Sequence, residues 1–453
     1  MKSKFLTTQT IKTISPKFSI LKPAIPLLFI LNLAFGQDKI YSYEALLNHA
    51  LKSSPNAKIS RLNIDEAKAQ YDLAKSNFYP TISLSANSEY SKRFDETYSP
   101  AYISDSSLAQ STSYQNSISL NLRYDIFKFR SDYYNAKSAL THINTTQFQN
   151  CEDEFEIALN LLELYYKALN LNYQIKSNEE LKELYEILAN YSNRLNNAGQ
   201  MDNIDKTQYA IKLSQTKANL LSLKNQANLT LNQIYEISNL QISNLDSLIE
   251  FDTQNLNIIL ESINFKDTYI FKKLQSELEE NILALKSLQR ANFPTISLYA
   301  KYDLYGSDKD EYWQAHKNIN RHGYRVGVSI NYEIFDGGRK DSQIKRQEII
   351  NEKLKLQSQS EKLKFQKEKR DIMDFLAIKD NLQDSLKAIN NQSKKIKNNI
   401  SRLNKIGEKS KIELVNSLIS TEQSKLELQE HILKSNFTLK KLSLIANQSK
   451  TCE

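Results

Sequence analysis

Between Phe127 and Gly199, and again between Gly338 and Gly407, the chain contains neither glycine nor proline. Both intervals carry apolar residues at helical spacing, as in Leu161, Leu164, Tyr165 and Leu169, or Leu382, Leu386 and Ile389 followed by Ile396, Ile400 and Leu403. Two uninterrupted helices of about 65 residues follow, each roughly 100 Å long at 1.5 Å per residue. A lone amphipathic helix of that length cannot bury its stripe, so each must coil against partners. Helices over 204–237 and 411–446, returning from turns at Gly199 and Gly407, supply them as two antiparallel coiled-coil hairpins.

The hairpins belong to a duplication. Tyr79-Pro80-Thr81-Ile82-Ser83-Leu84 recurs as Phe293-Pro294-Thr295-Ile296-Ser297-Leu298, and the strand ending at Phe127 recurs as one ending at Phe335. Phe127 to Phe335, Arg194 to Arg402 and Gly199 to Gly407 share an offset of about 208 residues. The expected organisation is a first repeat over 37–237 (a helix, strands about 80–91 and 114–127, a long helix over 131–195, a return helix) and an irregular linker over 238–266. A second repeat over 267–447 (a helix, strands about 294–304 and 324–335, a long helix over 340–405, a return helix) and a tail over 448–453 follow.

Residues 1–36 carry five lysines and no acid, then an apolar run from Ile25 to Phe35, the pattern of a secretory signal peptide. Without those lysines the formal charge of +8 falls to roughly +3, and nucleic-acid binding loses its support. No stretch of eighteen apolar residues exists, so membrane insertion would have to use strands. The strands suit that role. Val326, Val328, Ile330, Tyr332 and Ile334 share one face, while Arg325, Gly327, Ser329, Asn331 and Glu333 share the other. A half-buried sheet packed on helices uses the same alternation, but the signal peptide, the inward charges and the polar loops Lys92–Thr112 and Gly306–His322 favour a membrane barrel. Four strands cannot close a barrel, and an open edge in lipid leaves unpaired backbone groups, so copies must assemble. Spacing alone leaves open whether two or three copies do so.

The whole mature span, from Glu44-Ala45-Leu46 with Ser54-Pro55 to the hairpin returning from Gly407, resembles the TolC-like outer-membrane efflux proteins. The most specific motifs are Ile334-Phe335-Asp336-Gly337-Gly338-Arg339 at a strand-to-helix junction and the tip sequences beginning at Gly199 and Gly407. The resemblance implies a mainly α fold with a small β part, closing as a homotrimer with a twelve-stranded barrel in outer-membrane lipid, continuous with an α-helical tunnel through the periplasm. It implies a passive exit duct serving a periplasmic adaptor protein at the tips and an inner-membrane pump of the RND or ABC type. Family carboxylates six residues after each tip glycine fall here on Asp205 and Glu413, and the basic group two residues after the second glycine falls on Lys409, expected to pair with Asp205 when closed. A second family ring position holds Asn416, so the entrance is expected to be less acidic. Phe127-Lys128-Phe129-Arg130 lacks the glycine pair, so the first junction is expected to turn differently.

Cys151 and Cys452 come out at similar heights above their tips, roughly 60 to 65 Å at 1.5 Å per residue. A disulfide is therefore open to them in an oxidising compartment, with two unpaired thiols as the alternative. Glu152, Asp153, Glu154 and Glu156 span several helix faces and read as a solvated surface. His316 and His322 flank Trp313 in an external loop and read as loop residues, not metal ligands. No phosphate-cradling loop, zinc-helix motif or nucleophile elbow occurs, so the expectation is a protein without cofactor, metal or enzymatic activity. The competing function, a structural or adhesive surface trimer, predicts a long exposed passenger region that the chain does not contain.

Overall fold

The computed structural model describes residues 40–92, 112–252 and 263–449. The expected signal peptide, the loop residues 93–111, part of the linker and Cys452 lie outside them. In chain order the elements are α1 (Tyr43–Ser53), α2 (Pro55–Ser76), β1 (Thr81–Lys92), β2 (Thr112–Phe127), α3 (Ser131–Asn197), α4 (Asn203–Ser238), α5 (Tyr269–Arg290), β3 (Thr295–Asp308), α6 (Tyr312–Lys317), β4 (Arg321–Asn331), α7 (Arg339–Lys405) and α8 (Lys411–Ala446). The duplication is visible in the coordinates, since α3 and α7 each run 67 residues and α4 and α8 each run 36.

The strands form one antiparallel sheet in the order β1-β2-β3-β4, with β2 and β3 joining the two repeats. Register aligns the faces across all four strands. Leu84 sits opposite Leu120, Leu120 opposite Tyr302 and Tyr302 opposite Tyr324, while Ser83, Asn121, Lys301 and Arg325 line up on the other side. β4 ends at Asn331 and not at Phe335, because Asn331 pairs with Thr295, the first residue of β3, and Pro294 before it has no N–H to extend the ladder.

The helices form a layer in two halves. Beside the sheet, α2 packs on α3, α3 on α5 and α5 on α7; toward the tips the order is α4, α3, α8, α7. The α3–α5 contact is lined by small residues that let the backbones approach: Ser138 donates to the Glu280 carbonyl at 3.0 Å, and Thr145 donates to Ser276 at 3.0 Å. In the tip half, Leu181 and Leu188 of α3 bury against Val415 and Ile419 of α8. The main core lies between the halves, where Leu161, Leu162 and Tyr165 meet α1, α4 and the linker. Ile242, Leu245, Leu248 and Phe251 of that linker are buried, so the irregular joint contributes core side chains despite its weak periodicity.

In the acidic run on α3, Glu156 is exposed as expected, but Glu152, Asp153 and Glu154 are half-buried and tied to neighbouring helices. Lys273 of α5 pairs with Glu152 at 2.5 Å, Ser60 of α2 donates to Asp153 at 2.5 Å, and Arg61 of α2 reaches Glu154 at 3.3 Å. Consecutive helical positions project about 100° apart, so three neighbouring acids can reach two different flanking helices.

The first strand-to-helix junction also departs from expectation. Phe129 and Arg130 have φ of 50° and 67°, the same left-handed pair that Gly337 and Gly338 adopt at 70° and 83° in the second repeat. The turn geometry is therefore common to both repeats and does not follow glycine content. The strain of the first copy is offset by Phe129 stacking on Phe293 with centroids 4.9 Å apart. Arg130→Gly is expected to stabilise the fold by a net of about 0.5–1 kcal/mol, once relief of left-handed strain is set against the freer unfolded chain. Gly338→Ala, whose Cβ would meet nothing within 4 Å, should lower stability by about 1 kcal/mol through conformation alone. Denaturant midpoints of the two variants in detergent would move in opposite directions; a loss in Arg130→Gly would show that the guanidinium makes a needed contact.

Candidate functional site

The two hairpin tips are built alike. At the first, the N–H of Gly199 bonds the Asn196 carbonyl at 3.0 Å and that of Gln200 bonds Leu195 at 2.8 Å; at the second, Gly407 bonds Asn404 at 3.1 Å and Glu408 bonds Leu403 at 3.0 Å. These are Schellman closures, which need a left-handed residue at the glycine. Gly199 has φ of 69° and Gly407 of 82°, and neither would clash on gaining a Cβ, so backbone conformation alone demands glycine. Each loop is then clamped by the preceding asparagine, Asn196 donating to the Met201 carbonyl at 2.9 Å and Asn404 to that of Lys409 at 2.8 Å. Sequence reasoning did not assign a role to these asparagines, although the repeated Arg-Leu-Asn was the signal for them.

The return helices start with matching caps. Asp202 accepts from the N–H of Asp205 at 2.8 Å, and Ser410 accepts from that of Glu413 at 3.2 Å. Asp205 and Glu413 thus occupy equivalent positions in the first turns of α4 and α8, but their side chains are not equivalent. Glu413 closes a capping box by accepting from the Ser410 N–H at 2.9 Å, and Lys409 holds its other oxygen at 2.7 Å. The Lys409 contact first, and then the Ser410 N–H, keep the Glu413 carboxyl below its ordinary pKa. Asp205 makes no ion pair among the described residues. Within one chain the structure therefore brings Lys409 to Glu413 and leaves Asp205 apart. The two hairpins are tied where Lys411 lies over the ring of Tyr191, 5.7 Å from its centroid.

At the strand-to-helix junction, Asp336 accepts from the N–H groups of Gly338 and Lys340, both at 3.0 Å, and so caps α7. Desolvation pushes its carboxyl up, but those two N–H groups with the charges of Lys340 and Arg339 outweigh it and leave the pKa lowered. The first repeat has Lys128 at this position, which bridges Asp125 at 3.0 Å and Asp132 at 3.2 Å instead of capping. Farther along the polar sheet face, Asp303 gathers Ser119 at 2.5 Å, Lys301 at 2.9 Å and Arg325 at 3.1 Å. Cys151 is buried in α3, with its sulfur 3.0 Å from the Gln147 carbonyl. Among the described residues no group of three or more His, Cys, Asp or Glu side chains is placed to hold a metal.

Two long helical hairpins with capped tips are thus joined to one strand sheet with a polar and an apolar face. No helix among the described residues is long and apolar enough to cross a membrane. Residues 46–240 match the family described as outer membrane efflux protein. That match covers the first repeat, and the chain as a whole is similar in fold to outer membrane channel proteins. No curated protein matches the sequence. Solved structures share the fold: the outer membrane protein VceC of Vibrio cholerae (TM-score 0.71, 15% identity, 91% of this chain and 97% of that one), the CmeC outer membrane channel of Campylobacter jejuni (0.71, 13%, 90% and 85%) and the open state of the MtrE outer membrane channel of Neisseria gonorrhoeae (0.70, 15%, 92% and 92%).

Proposed function

We propose that the protein is a passive exit duct whose wall is closed by three copies, with a gated entrance at the tips. The observation that carries this reading is that the chain ends in open edges at every level. β1 and β4 each have one unpaired side, and the tip-half layer ends in α4 and α7. The apolar sheet face stands exposed in the single chain, with Leu84 at 72% and Ile330 at 68%. An unpaired strand edge in hydrocarbon costs several kcal/mol per backbone group, so closure by further copies is strongly favoured. Three copies give the twelve strands expected of the family, and their hairpins form the tunnel.

At the entrance, three Glu413 side chains around one axis repel one another and favour cations. Lys409 moderates that repulsion, and in the closed duct it is shared with a neighbouring copy's Asp205. Transport energy comes from an inner-membrane pump of the RND or ABC type through an adaptor docked on the tips around Gly199 and Gly407. A Cys151–Cys452 disulfide would pin the tail against α3; unchanged gel mobility with and without reductant, after thiol blocking, argues against it. The decisive experiment is reconstitution in planar bilayers. Cross-linked trimers should conduct, with Lys409→Glu opening several-fold more often. Cross-linked trimers without conductance would overturn the duct, and unchanged opening in Lys409→Glu would overturn the gate.

A further inference from the structure

The segment between β3 and β4 is not a plain polar loop, because α6 folds back onto the sheet, and the side it covers can be read from the register. Gly306 follows Ile296, Leu298, Ala300, Tyr302 and Leu304 at alternate positions of β3, so it lies on the apolar face. A Cβ on Gly306 would meet the Ala315 carbonyl oxygen and the Asn318 carbonyl carbon, both at 2.5 Å, so α6 and its C-terminal turn sit directly on that face. Asn116, opposite Gly306 on β2, is only 5% exposed. The Tyr114 ring, farther along the same face, meets that of Tyr312 edge-on at 6.0 Å and packs on Tyr90 at 4.8 Å. Gly306, Asn116 and the tyrosine rings thus agree that α6 covers the outside of the sheet and not its polar side.

We infer that α6 is a membrane anchor that seats Trp313 in the headgroup layer of the outer leaflet. The inference rests on the membrane-barrel reading. From Ile296 to Gly306 is roughly 33 Å of strand, which a tilt of about 40° shortens to roughly 25 Å, the height of the apolar band of an outer-membrane barrel. α6 therefore lies where hydrocarbon gives way to headgroups, at the end of the sheet away from the long helices. Trp313 is 70% exposed in the single chain and Tyr324 on the same side is 79% exposed. Indole and phenol rings with one apolar and one polar end partition to that layer. Lys309 and Lys317 are offset by Asp308, Asp310 and Glu311, so the layer is recognised by its polarity gradient and not by anionic lipid.

Trp313 is the only tryptophan of the chain, so native fluorescence reads its position without any substitution. The full chain is reconstituted into phosphatidylcholine vesicles, with bromine placed near the carbonyl end or near the methyl end of the acyl chains. Emission should be blue-shifted, quenched more by the shallow bromines than by the deep ones, protected from aqueous iodide, and unchanged when anionic lipid is added. Protein that floats with the vesicles but is quenched by iodide and not by bromine overturns the anchor alone; protein that fails to float overturns the membrane reading with it. Gly306→Val, which drives a side chain into the α6 backbone, should float yet lose the iodide protection, and retained protection would overturn the placement of α6.

Discussion

Replacing Lys273 by methionine is expected to cost about 3–5 kcal/mol, because it leaves Glu152 charged and enclosed between α3 and α5 without a counter-ion. The side chains of the pair are only 16% and 14% exposed, and their separation is 2.5 Å. Burial already holds the Glu152 carboxyl above its ordinary pKa even with Lys273 present. That direction sets the pH dependence of the variant. A carboxyl whose folded pKa is raised lowers stability as pH rises through the unfolded value toward the folded one, so the loss should be largest at neutral pH and shrink in acid. The urea midpoint of the far-ultraviolet dichroism in detergent measures it, and the double variant Glu152→Leu with Lys273→Met should recover most of the loss. A shift below about 1 kcal/mol for the single variant would mean that the pair behaves as a solvated surface bridge.

Tyr165→Ala should be comparably damaging, by about 3–5 kcal/mol, since it empties the centre of the main core. Tyr165 is fully buried and its ring meets Tyr43 edge-on at 6.1 Å. Its hydroxyl lies 2.6 Å from the Ile249 carbonyl oxygen and 2.9 Å from that of Tyr41, and accepts from the Ile249 N–H at 3.0 Å. One side chain thus ties the linker and the segment before α1 to the middle of α3. Tyr165→Phe separates the two contributions, because it keeps the ring and removes only the hydroxyl. About 1–3 kcal/mol of loss is expected from the backbone groups left unpaired, together with faster proteolysis in the linker. A Tyr165→Phe chain that melts and digests like the parent would show that water replaces the hydroxyl and that packing alone holds the joint.

Much of the architecture could be read before any coordinate. The two intervals without glycine or proline and the shared offset of about 208 residues are local or periodic signals, and they specify long helices, hairpin turns and strand alternation. The tip glycines were legible for the same reason, since a left-handed helix stop is a property of a few neighbouring residues. The partner of Lys409 was less so. Sequence spacing allows both Glu413 on the same helical turn and Asp205 on another hairpin, and within one chain the shorter reach prevails at 2.7 Å.

The features that sequence reading missed depend on what stands opposite. The run Glu152, Asp153, Glu154 looks like exposed helix until α2 and α5 are placed on either side of it with Ser60, Arg61 and Lys273. Phe129 and Arg130 carry no local signal for a left-handed pair; strand β2 and helix α3 impose that turn, and Phe293, far away in sequence, supplies the compensating stack. Likewise α6 follows from Gly306 leaving room on the sheet for a backbone to settle. What the sequence determined by itself was the set of elements and their faces, because periodicity and left-handed glycines act over a few residues. Only the tertiary structure decided which charges are ties, where strain is tolerated and on which side of the sheet Trp313 lies, because those depend on free energies shared between segments that meet only after folding.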